Sequence, residues 1–373
     1  MPRCRGGPAG TAAGGRRRRG AALNATAPGT HFLAEIYEQP EALVRLVEQP
    51  ETQAVGRALV ERGVRTVRLV GHGSSDAAAS YGVYAFGLLP GWTALRDSIS
   101  LTVYYDAALD LKSSAVIALS QSGQTPDVVE YATRARSRGA LTIAVTNDEG
   151  SALADVCDLT LPLAAGPERA VAASKTYLNS VAALLLMAGF AAGRADEVAD
   201  GVRATASLLD ETIPPLAGDA ARIATAFAYV GRMYVIGRGL EYSTAREIAL
   251  KLTETCRIAA EPLTATDLVH GPIAAVDSLV PVWTIASRDA TLHAVKDAAE
   301  RARGAGGVLV ASGSAAAEIH GAPYRLPVPE APAPLYAPLL SVVAGQLFSA
   351  ALARQRGFDA DHPERLTKVT LAP

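Results

Sequence analysis

The sequence is poor in cysteine, with only Cys4, Cys157 and Cys256 among 373 residues. Three scattered cysteines form neither a disulfide framework nor a set of metal ligands, so we expect a protein of the reducing cytoplasm. A net charge of −2 gives no field that would recruit nucleic acid or an anionic membrane. Apolar runs are short and interrupted by charge, and none predicts a membrane span.

Length and composition predict two domains with ample cores, because 49% of the 373 residues are hydrophobic. Residues 1–30 are the exception: they are rich in Gly, Ala and Pro and contain the run Arg16–Arg19. We expect a disordered basic tail there, or an extension that reflects the choice of start codon. Ala21–Gly29 is too short and too polar for the hydrophobic region of a twin-arginine signal.

From residue 31 onward, predicted strands and helices alternate. Strands are predicted at Val64–Val70, Ser100–Tyr105, Ser114–Leu119, Leu141–Thr146, Leu159–Leu163, Met233–Ile236, Leu279–Ile285, Gly307–Ala311 and Tyr324–Val328. This alternation predicts an α/β fold in which helices cover both faces of parallel sheets. We expect a first domain at 31–200, a connector at 201–217, a second domain at 218–355 and a C-terminal tail at 356–373.

The segment Ala118–Val129, ALSQSGQTPDVV, predicts a strand, a tight loop and the start of a helix. Thr125 is the predicted N-cap, and Ser120, Gln121 and Ser122 offer side-chain and backbone donors at the positive helix end. A phosphate group would fit there. No lysine follows the glycine, so the loop is not a P-loop. For any single serine, a solvated turn is the alternative interpretation.

A second glycine-bracketed turn, Gly71–Gly82, follows the first predicted strand. Parallel strands present their carboxyl ends at one edge, so Ser74 and Ser75 should face the same cleft as the first loop. His72 is either a catalytic base or, as we prefer, a residue that lines the pocket. Ser174 is the predicted N-cap of a long helix, and Lys175 either contacts substrate or is an exposed lysine with no special role.

In the second half, GRGLEYSTAREIALKLTETC at Gly237–Cys256 predicts a glycine loop and a helix that starts at a capping box of Thr244 and Glu247. Glu247, Lys251 and Glu254 share one face of this helix. The pattern leaves two interpretations open, a surface ladder of ion pairs or a set of side chains turned into a cleft.

Two further residues are candidates for proton transfer and covalent chemistry. His270 lies on a turn set by a Gly-Pro pair, and histidine suits proton transfer to a sugar ring oxygen. Lys368 lies in the tail, where it is either solvated or delivered to an active site, with its pKa lowered enough for Schiff-base chemistry.

Six segments occur in collinear order and at plausible spacing between about Ile36 and Leu371. In chain order they are GHGSSD, SQSGQT, VAASKTY, ALKLTE, DLVHGP and LTKVT. Together they resemble the tandem sugar-isomerase (SIS) domain family. That family includes the isomerase module of glucosamine-6-phosphate synthase, also called glutamine-fructose-6-phosphate aminotransferase, and stand-alone glucosamine-6-phosphate deaminases. The resemblance implies two tandem SIS domains and a homodimer that shares its active sites between subunits.

The resemblance also implies roles for individual residues. Glu254 would move a proton between C1 and C2 of the sugar with Lys251 nearby, His270 of a neighbouring subunit would open the ring, and Lys368 would be the Schiff-base lysine. The substrate phosphate would be bound by Ser74, Ser120, Gln121, Ser122 and Thr125. The substrate would also be lined by His72, Ser75, Ala172 and Ser174.

The chain departs from the synthase in ways that favour the deaminases. The synthase begins with a glutaminase domain whose nucleophilic cysteine follows the initiator methionine, whereas Pro2 stands here. His72 replaces a cysteine of the synthase, and Ala172, Ala173 and Ser174 replace its VAS segment. We therefore expect glucosamine 6-phosphate to be converted to fructose 6-phosphate and ammonia, because this chain would make no ammonia from glutamine.

The alternatives are an isomerase or deglycase acting on another phosphosugar, a synthase that uses a separate glutaminase partner, and a non-catalytic phosphosugar sensor. No metal, nucleotide or redox cofactor is expected, because no cluster of His, Cys and carboxylates has ligand spacing. The expected partner is a small phosphosugar, without nucleic acid or membrane.

Overall fold

The computed structural model describes residues 27–368. Residues 1–26 of the predicted basic tail and the last five residues of the C-terminal tail lie outside this range. The strands within it are β1 Thr66–Val70, β2 Thr93–Arg96, β3 Ser114–Leu119, β4 Leu141–Thr146, β5 Leu159–Pro162, β6 Arg232–Gly237, β7 Ala259–Thr264, β8 Val282–Ile285, β9 Leu309–Gly313 and β10 Tyr324–Pro327.

The helices in the described range precede, separate and follow these strands. They are α1 Thr30–Tyr37, α2 Gln39–Val47, α3 Glu51–Glu61, α4 Ser74–Leu88, α5 Ile99–Val103, α6 Pro126–Ser137, α7 Ala152–Val156, α8 Lys175–Ala191, α9 Ala195–Ala224, α10 Glu241–Cys256, α11 Ala265–Val269, α12 Leu292–Gly304 and α13 Ala337–Gln355.

The strands form two parallel sheets with the orders β2-β1-β3-β4-β5 and β10-β9-β8-β6-β7. The orders become identical when β6 to β10 are matched to β1 to β5, so the two halves repeat one topology. Strands β3 and β4 are buried along their whole length, which explains why their sequences are nearly continuous apolar runs. The predicted α/β class, with helices flanking two parallel sheets, is confirmed.

One predicted strand is wrong. Ser100–Tyr105 is rich in β-branched and aromatic residues, but Ile99–Val103 forms the short helix α5, in which Ile99 and Thr102 are buried. The edge position beside β1 is taken instead by Thr93–Arg96. Local propensity for a strand is therefore overridden by packing, because the sheet edge is already occupied.

The segment predicted as a connector, 201–217, lies inside the 30-residue helix α9. Pro214 and Pro215 are within this helix, where each removes a backbone donor. Buried Val202, Leu209 and Ile213 recur at helical spacing and anchor the helix on the core. Their burial offsets the hydrogen bonds that the prolines remove.

Helix α13 is the apolar core of the second half. The segment Pro334–Gln355 is long and apolar enough to cross a membrane. Its most apolar window of 18 residues has a mean hydropathy of 1.6, but 78% of that window is buried inside the protein. It packs closely on α10 at Gly345, where a Cβ would lie 2.3 Å from Ile248. This close contact fixes the position of α10, which carries the candidate catalytic face.

Candidate active site

A cavity of about 400 Å³ opens at the carboxyl ends of β1 and β3. Five segments line it. They are the two polar loops after these strands, each with the start of the helix that follows it, the loop before α8, helix α10 and the C-terminal tail. A cleft of this size at the carboxyl edge of a parallel sheet can hold a small polar ligand.

The loop from Ser120 to Thr125 supplies hydroxyl and amide groups to one wall of the cleft. Thr125 occupies the N-cap position of α6, but its side chain makes no capping bond and instead lies 3.1 Å from the Ser120 hydroxyl. The Ser122 hydroxyl accepts the backbone N–H of Gln124 at 3.3 Å. Gly123 has φ +61°, and a Cβ there would lie 2.0 Å from the Ser151 hydroxyl, so the tight turn requires glycine.

Glu247, Lys251 and Glu254 form a buried charged row rather than a surface ladder. The Lys251 ammonium lies 3.4 Å from Glu247 and 2.5 Å from Glu254, and the Lys251 and Glu247 side chains are 1% and 0% exposed. Ser74 donates its hydroxyl to Glu247 at 3.1 Å. Glu254 lines the cleft and is 22% exposed, so the open end of the row is a carboxylate.

Burial and the mutual charges of the row shift the pKa values of Glu247 and Lys251. Burial raises the pKa of Glu247 to about 7, although Lys251 opposes this shift. Burial would lower the pKa of Lys251, but the two flanking carboxylates more than offset it and hold that pKa well above its usual value. The lysine therefore stays charged and keeps Glu254 in place.

The predicted capping box is wrong. Helix α10 begins at Glu241, three residues before Thr244, whose hydroxyl donates to the Glu241 carboxylate at 2.6 Å. Glu241 is buried and also accepts the hydroxyl of Ser341 at 2.8 Å. Glu247 cannot reach back to cap the helix, because its carboxylate is bound to Ser74 and Lys251.

Lys368 reaches the cleft from the tail, and its ammonium donates to Glu168 at 2.8 Å and to the Ala170 carbonyl at 2.6 Å. Glu168 is buried, which alone would raise its pKa, but Lys368 and the backbone N–H groups of Ser174 and Thr176 lower it overall. The sequence analysis missed Glu168. Its only signal is a charged residue just before a long apolar helix.

The loop before α8 contacts the cleft through different residues than predicted. Val171 and Ala173 line the cavity, whereas Ala172 and Ser174 are buried away from it. The chain bends at residues 170–174, so strand-like alternation does not predict which side chains face the cleft. Lys175 is not exposed either: it is fully buried and its ammonium lies 2.5 Å from Glu38.

The two candidate histidines are in different surroundings. His72 lines the cleft together with Ser75, and its Nε2 lies 2.8 Å from Asp127 Oδ2. His270 is exposed at the end of α11 and does not line the cleft within the described chain. A single copy of the chain therefore brings together all the predicted catalytic groups except His270.

Comparison with known families decides the classification. The SIS domain profile matches residues 62–189 and 227–353, which together are most of the chain. The chain belongs to the SIS family. The two matched SIS domains coincide with the two sheets of identical strand order.

Several proteins similar to this chain are named as aminotransferases or isomerases of sugar phosphates. Glutamine-fructose-6-phosphate aminotransferase (isomerizing) of Mycolicibacterium smegmatis is 34% identical, and the match covers 93% of this chain and 58% of that protein. A Silicibacter pomeroyi structure described as a phosphosugar isomerase is 32% identical, with a TM-score of 0.78, and the match covers 89% of this chain and 99% of that one.

Glucosamine-6-phosphate deaminase of Thermotoga maritima shares the fold at a TM-score of 0.74 and 21% identity, with 92% of this chain and 100% of that chain covered. This likeness establishes the common SIS architecture. Since the chain spans 58% of the length of the M. smegmatis relative, that enzyme's complete activity does not transfer with the fold.

The second SIS domain has a loop that corresponds to the loop Ser120–Thr125 of the first. Residues 286–291 join β8 to α12, as residues 120–125 join β3 to α6, and both loops are six residues long. In the second SIS domain, the Asp289 carboxylate accepts the backbone N–H and the hydroxyl of Thr291, each at 2.7 Å. In the second domain, the Asp289 carboxylate therefore lies in the loop before α12. In the first domain, the corresponding loop before α6 faces the cleft.

Glu35 of α1 supports the loop that contacts the cleft, and it should make stability depend on pH. Its carboxylate accepts the backbone N–H groups of Arg169 and Ala170, and burial raises its pKa from 4.5 to about 7. Between pH 4.5 and about pH 7, the Glu35 carboxyl is therefore protonated in the folded protein and ionised in the unfolded chain. Stability due to Glu35 is highest at low pH and falls as the pH rises through this window.

We expect Glu35→Gln to remove this slope, because glutamine stays uncharged at every pH. Relative to this variant, the wild type should lose about 1–3 kcal/mol of unfolding free energy between pH 5 and pH 8. Urea denaturation at both pH values measures the difference, with Glu41→Gln on exposed α2 as the control. Parallel pH curves for wild type and Glu35→Gln would contradict the assignment.

Proposed function

We propose that this chain converts an aldose phosphate to a ketose phosphate, with glucosamine 6-phosphate as the substrate and fructose 6-phosphate and ammonia as the products. The observation that carries the proposal is that Glu254 and Lys368 line the same cleft as the hydroxyl loop at Ser120–Thr125. One end of the cleft can bind a phosphate, and the other offers a carboxylate and an ammonium to the sugar.

In the proposed reaction, the hydroxyl loop holds the phosphate while the opened sugar extends toward Glu254. The Glu254 carboxylate takes the proton from C2 of the aldehyde form, which gives an enolamine, and returns it to C1. The resulting imine at C2 adds water and releases ammonia, leaving the C2 ketone. Lys251, held between two carboxylates at 3.4 and 2.5 Å, keeps the proton-transferring carboxylate in position.

The surroundings of Lys368 favour a role as a cation over a Schiff base in the resting state. A Schiff base requires a neutral amine, whereas this amine is paired with the buried Glu168 carboxylate at 2.8 Å. As an ammonium, Lys368 can stabilise the negative charge that develops on the sugar oxygen during proton transfer. A covalent step would first have to separate Lys368 from Glu168.

We also propose that the active form is a cytoplasmic homodimer in which a second copy supplies His270 for ring opening. The supporting observation is that His270 is exposed and lies outside the cleft of its own chain. The two described cysteines, Cys157 and Cys256, are unpaired and buried, and burial raises their thiol pKa to about 12 and about 11. Unpaired thiols of this kind suit a reducing compartment.

The reverse direction is the second candidate. Relatives such as the M. smegmatis enzyme, at 34% identity, are named as aminotransferases that act on fructose 6-phosphate. Ammonia delivered from another source would let the same cleft make glucosamine 6-phosphate. A non-catalytic sensor is less well supported, because a sensor does not need the buried row that ends in Glu254.

The test is product formation by purified chain. Ammonia and fructose 6-phosphate are measured after addition of glucosamine 6-phosphate, and glucosamine 6-phosphate is measured after addition of fructose 6-phosphate and ammonium. We expect net ammonia release in the first reaction. Binding of both phosphosugars without turnover in either direction would overturn the deaminase and the synthase assignments together.

A further inference from the structure

His72 and Asp127 form a pair in the cleft that the proposed reaction does not use. His72 Nε2 lies 2.8 Å from Asp127 Oδ2, and both residues line the cavity. The imidazole is 56% exposed, whereas the Asp127 side chain is only 12% exposed. Asp127 Oδ1 is buried and has no hydrogen-bond partner among the described atoms. The carboxylate is therefore fixed, and it holds the imidazole at the cleft wall.

The pair lies at the phosphate end of the cleft. Asp127 is in the first turn of α6, two residues beyond Thr125 of the hydroxyl loop. His72 comes from the loop after β1, the strand that pairs with β3. The contact thus joins the loop after β1 to the first turn of α6, and it places the ring beside the loop that we expect to bind the phosphate.

Charge in this part of the cleft is otherwise scarce. The hydroxyl loop offers Ser120, Gln121, Ser122 and Thr125, which are all neutral. Besides His72, the described lining of the cavity contains Lys368, whose ammonium is paired with Glu168 at 2.8 Å. A phosphate ester carries about −1.5 to −2 charges at pH 7. The helix start alone supplies only about half a positive charge.

The charged groups around His72 can be named element by element. Asp127 faces it from α6, Glu254 and Lys368 line the same cavity from α10 and the tail, and Asp76 of α4 is bound to Arg96 and Arg246. Of these groups, Asp127 contacts the ring directly. With Nε2 directed at Asp127, Nδ1 remains as the second N–H donor of the charged ring.

We infer that His72, oriented by Asp127, is a pH-dependent contact for the substrate's phosphate group, to which the charged imidazole donates a hydrogen bond. Because this contact needs a charged imidazole, affinity for phosphosugars should be higher under acidic than under basic conditions. This inference rests on the proposed function only for the place where the phosphate binds, and it does not require deamination.

The experiment is calorimetric titration of the purified chain with sulfate between pH 5.5 and pH 8.5. Sulfate remains a dianion over this range, so any pH dependence comes from the protein. We expect sulfate affinity of the wild type to fall about tenfold from the lowest to the highest pH. His72→Gln should have the same weak affinity at both ends. His293→Gln, an exposed histidine of α12, should behave as the wild type.

Asp127→Asn adds a second readout. Without the carboxylate that orients the ring, sulfate affinity at pH 5.5 should be weaker than in the wild type. Inorganic phosphate as a competitive inhibitor then links binding to turnover: His72→Gln should raise KM and the phosphate inhibition constant by similar factors and leave kcat nearly unchanged.

Three results would overturn the inference. They are a wild type without affinity for sulfate, a His72→Gln variant that keeps the pH slope, and a variant that loses kcat with phosphate inhibition unchanged. The last result would make His72 an acid or base. A wild type that shows the expected sulfate profile but releases no ammonia would support the inference and contradict only the proposed deamination.

Discussion

Replacing Glu254 by glutamine should lower kcat for glucosamine 6-phosphate by about 10²- to 10⁴-fold and leave KM within a few-fold of the wild type. Glutamine keeps the size of the side chain and an oxygen that can accept from Lys251, so the row should stay in place. What it loses is the ability to take the C2 proton. The loop Ser120–Thr125, where we propose that the phosphate binds, is unchanged.

The direct measurement is exchange of the substrate's C2 hydrogen with deuterium from the solvent, followed by NMR. The exchange should be lost in Glu254→Gln and kept in Glu300→Gln, a surface carboxylate of α12 paired with Arg303. Glu247→Gln separates the two carboxylates of the row, because Glu247 is 0% exposed and Glu254 faces the cleft. If Glu247→Gln stops the exchange and Glu254→Gln does not, the inner carboxylate is the base.

Lys251→Met should be the most destabilising single change in the site, at about 3–5 kcal/mol of unfolding free energy. Methionine fills a similar volume, but the change removes the cation that lies 3.4 Å from Glu247 and 2.5 Å from Glu254. Two carboxylates would then share a buried space without a counter-charge. Urea denaturation at pH 7.5 measures the loss.

Three comparisons separate charge from packing. The double variant Glu247→Gln/Lys251→Met removes one of the unpaired charges and should recover part of the lost stability. Lys251→Met should also be less destabilised at pH 5.5 than at pH 8, because its carboxyls can be protonated there. Lys296→Met on the surface, where Lys296 pairs with Glu318 at 3.1 Å, should cost less than about 1 kcal/mol. Equal losses for the two lysines would refute the buried-row explanation.

The fold was predictable from the sequence because strand and helix patterns alternate with short polar loops. The shared face of Glu247, Lys251 and Glu254 also follows from helical spacing. Its burial does not, because the spacing specifies which residues lie together but not what covers them. Part of the cover comes from α4, whose Ser74 donates to Glu247 from 173 residues away in the sequence.

The parts that the sequence could not predict depend on distant partners or on irregular backbone. Glu168 meets Lys368 across 200 residues, and Glu35 meets Arg169 across 134. No local pattern marks such carboxylates as buried. Ala172 and Ala173 are indistinguishable in sequence, and only the course of the loop decides which lines the cleft. His270 lies outside the cleft of its own chain, and one sequence cannot place a further copy beside it.

Asp289 has a consequence for how the ligand acts on the whole protein. Since this carboxylate accepts the backbone N–H of Thr291, the N-cap residue of α12, at 2.7 Å, a second anion at this loop would meet a negative charge. A phosphosugar should therefore bind with a stoichiometry of one per chain. Its stabilising effect should be largest at the two polar loops of the first domain and at α10, whose amide protons would exchange more slowly in the complex, while those at the start of α12 would exchange as before.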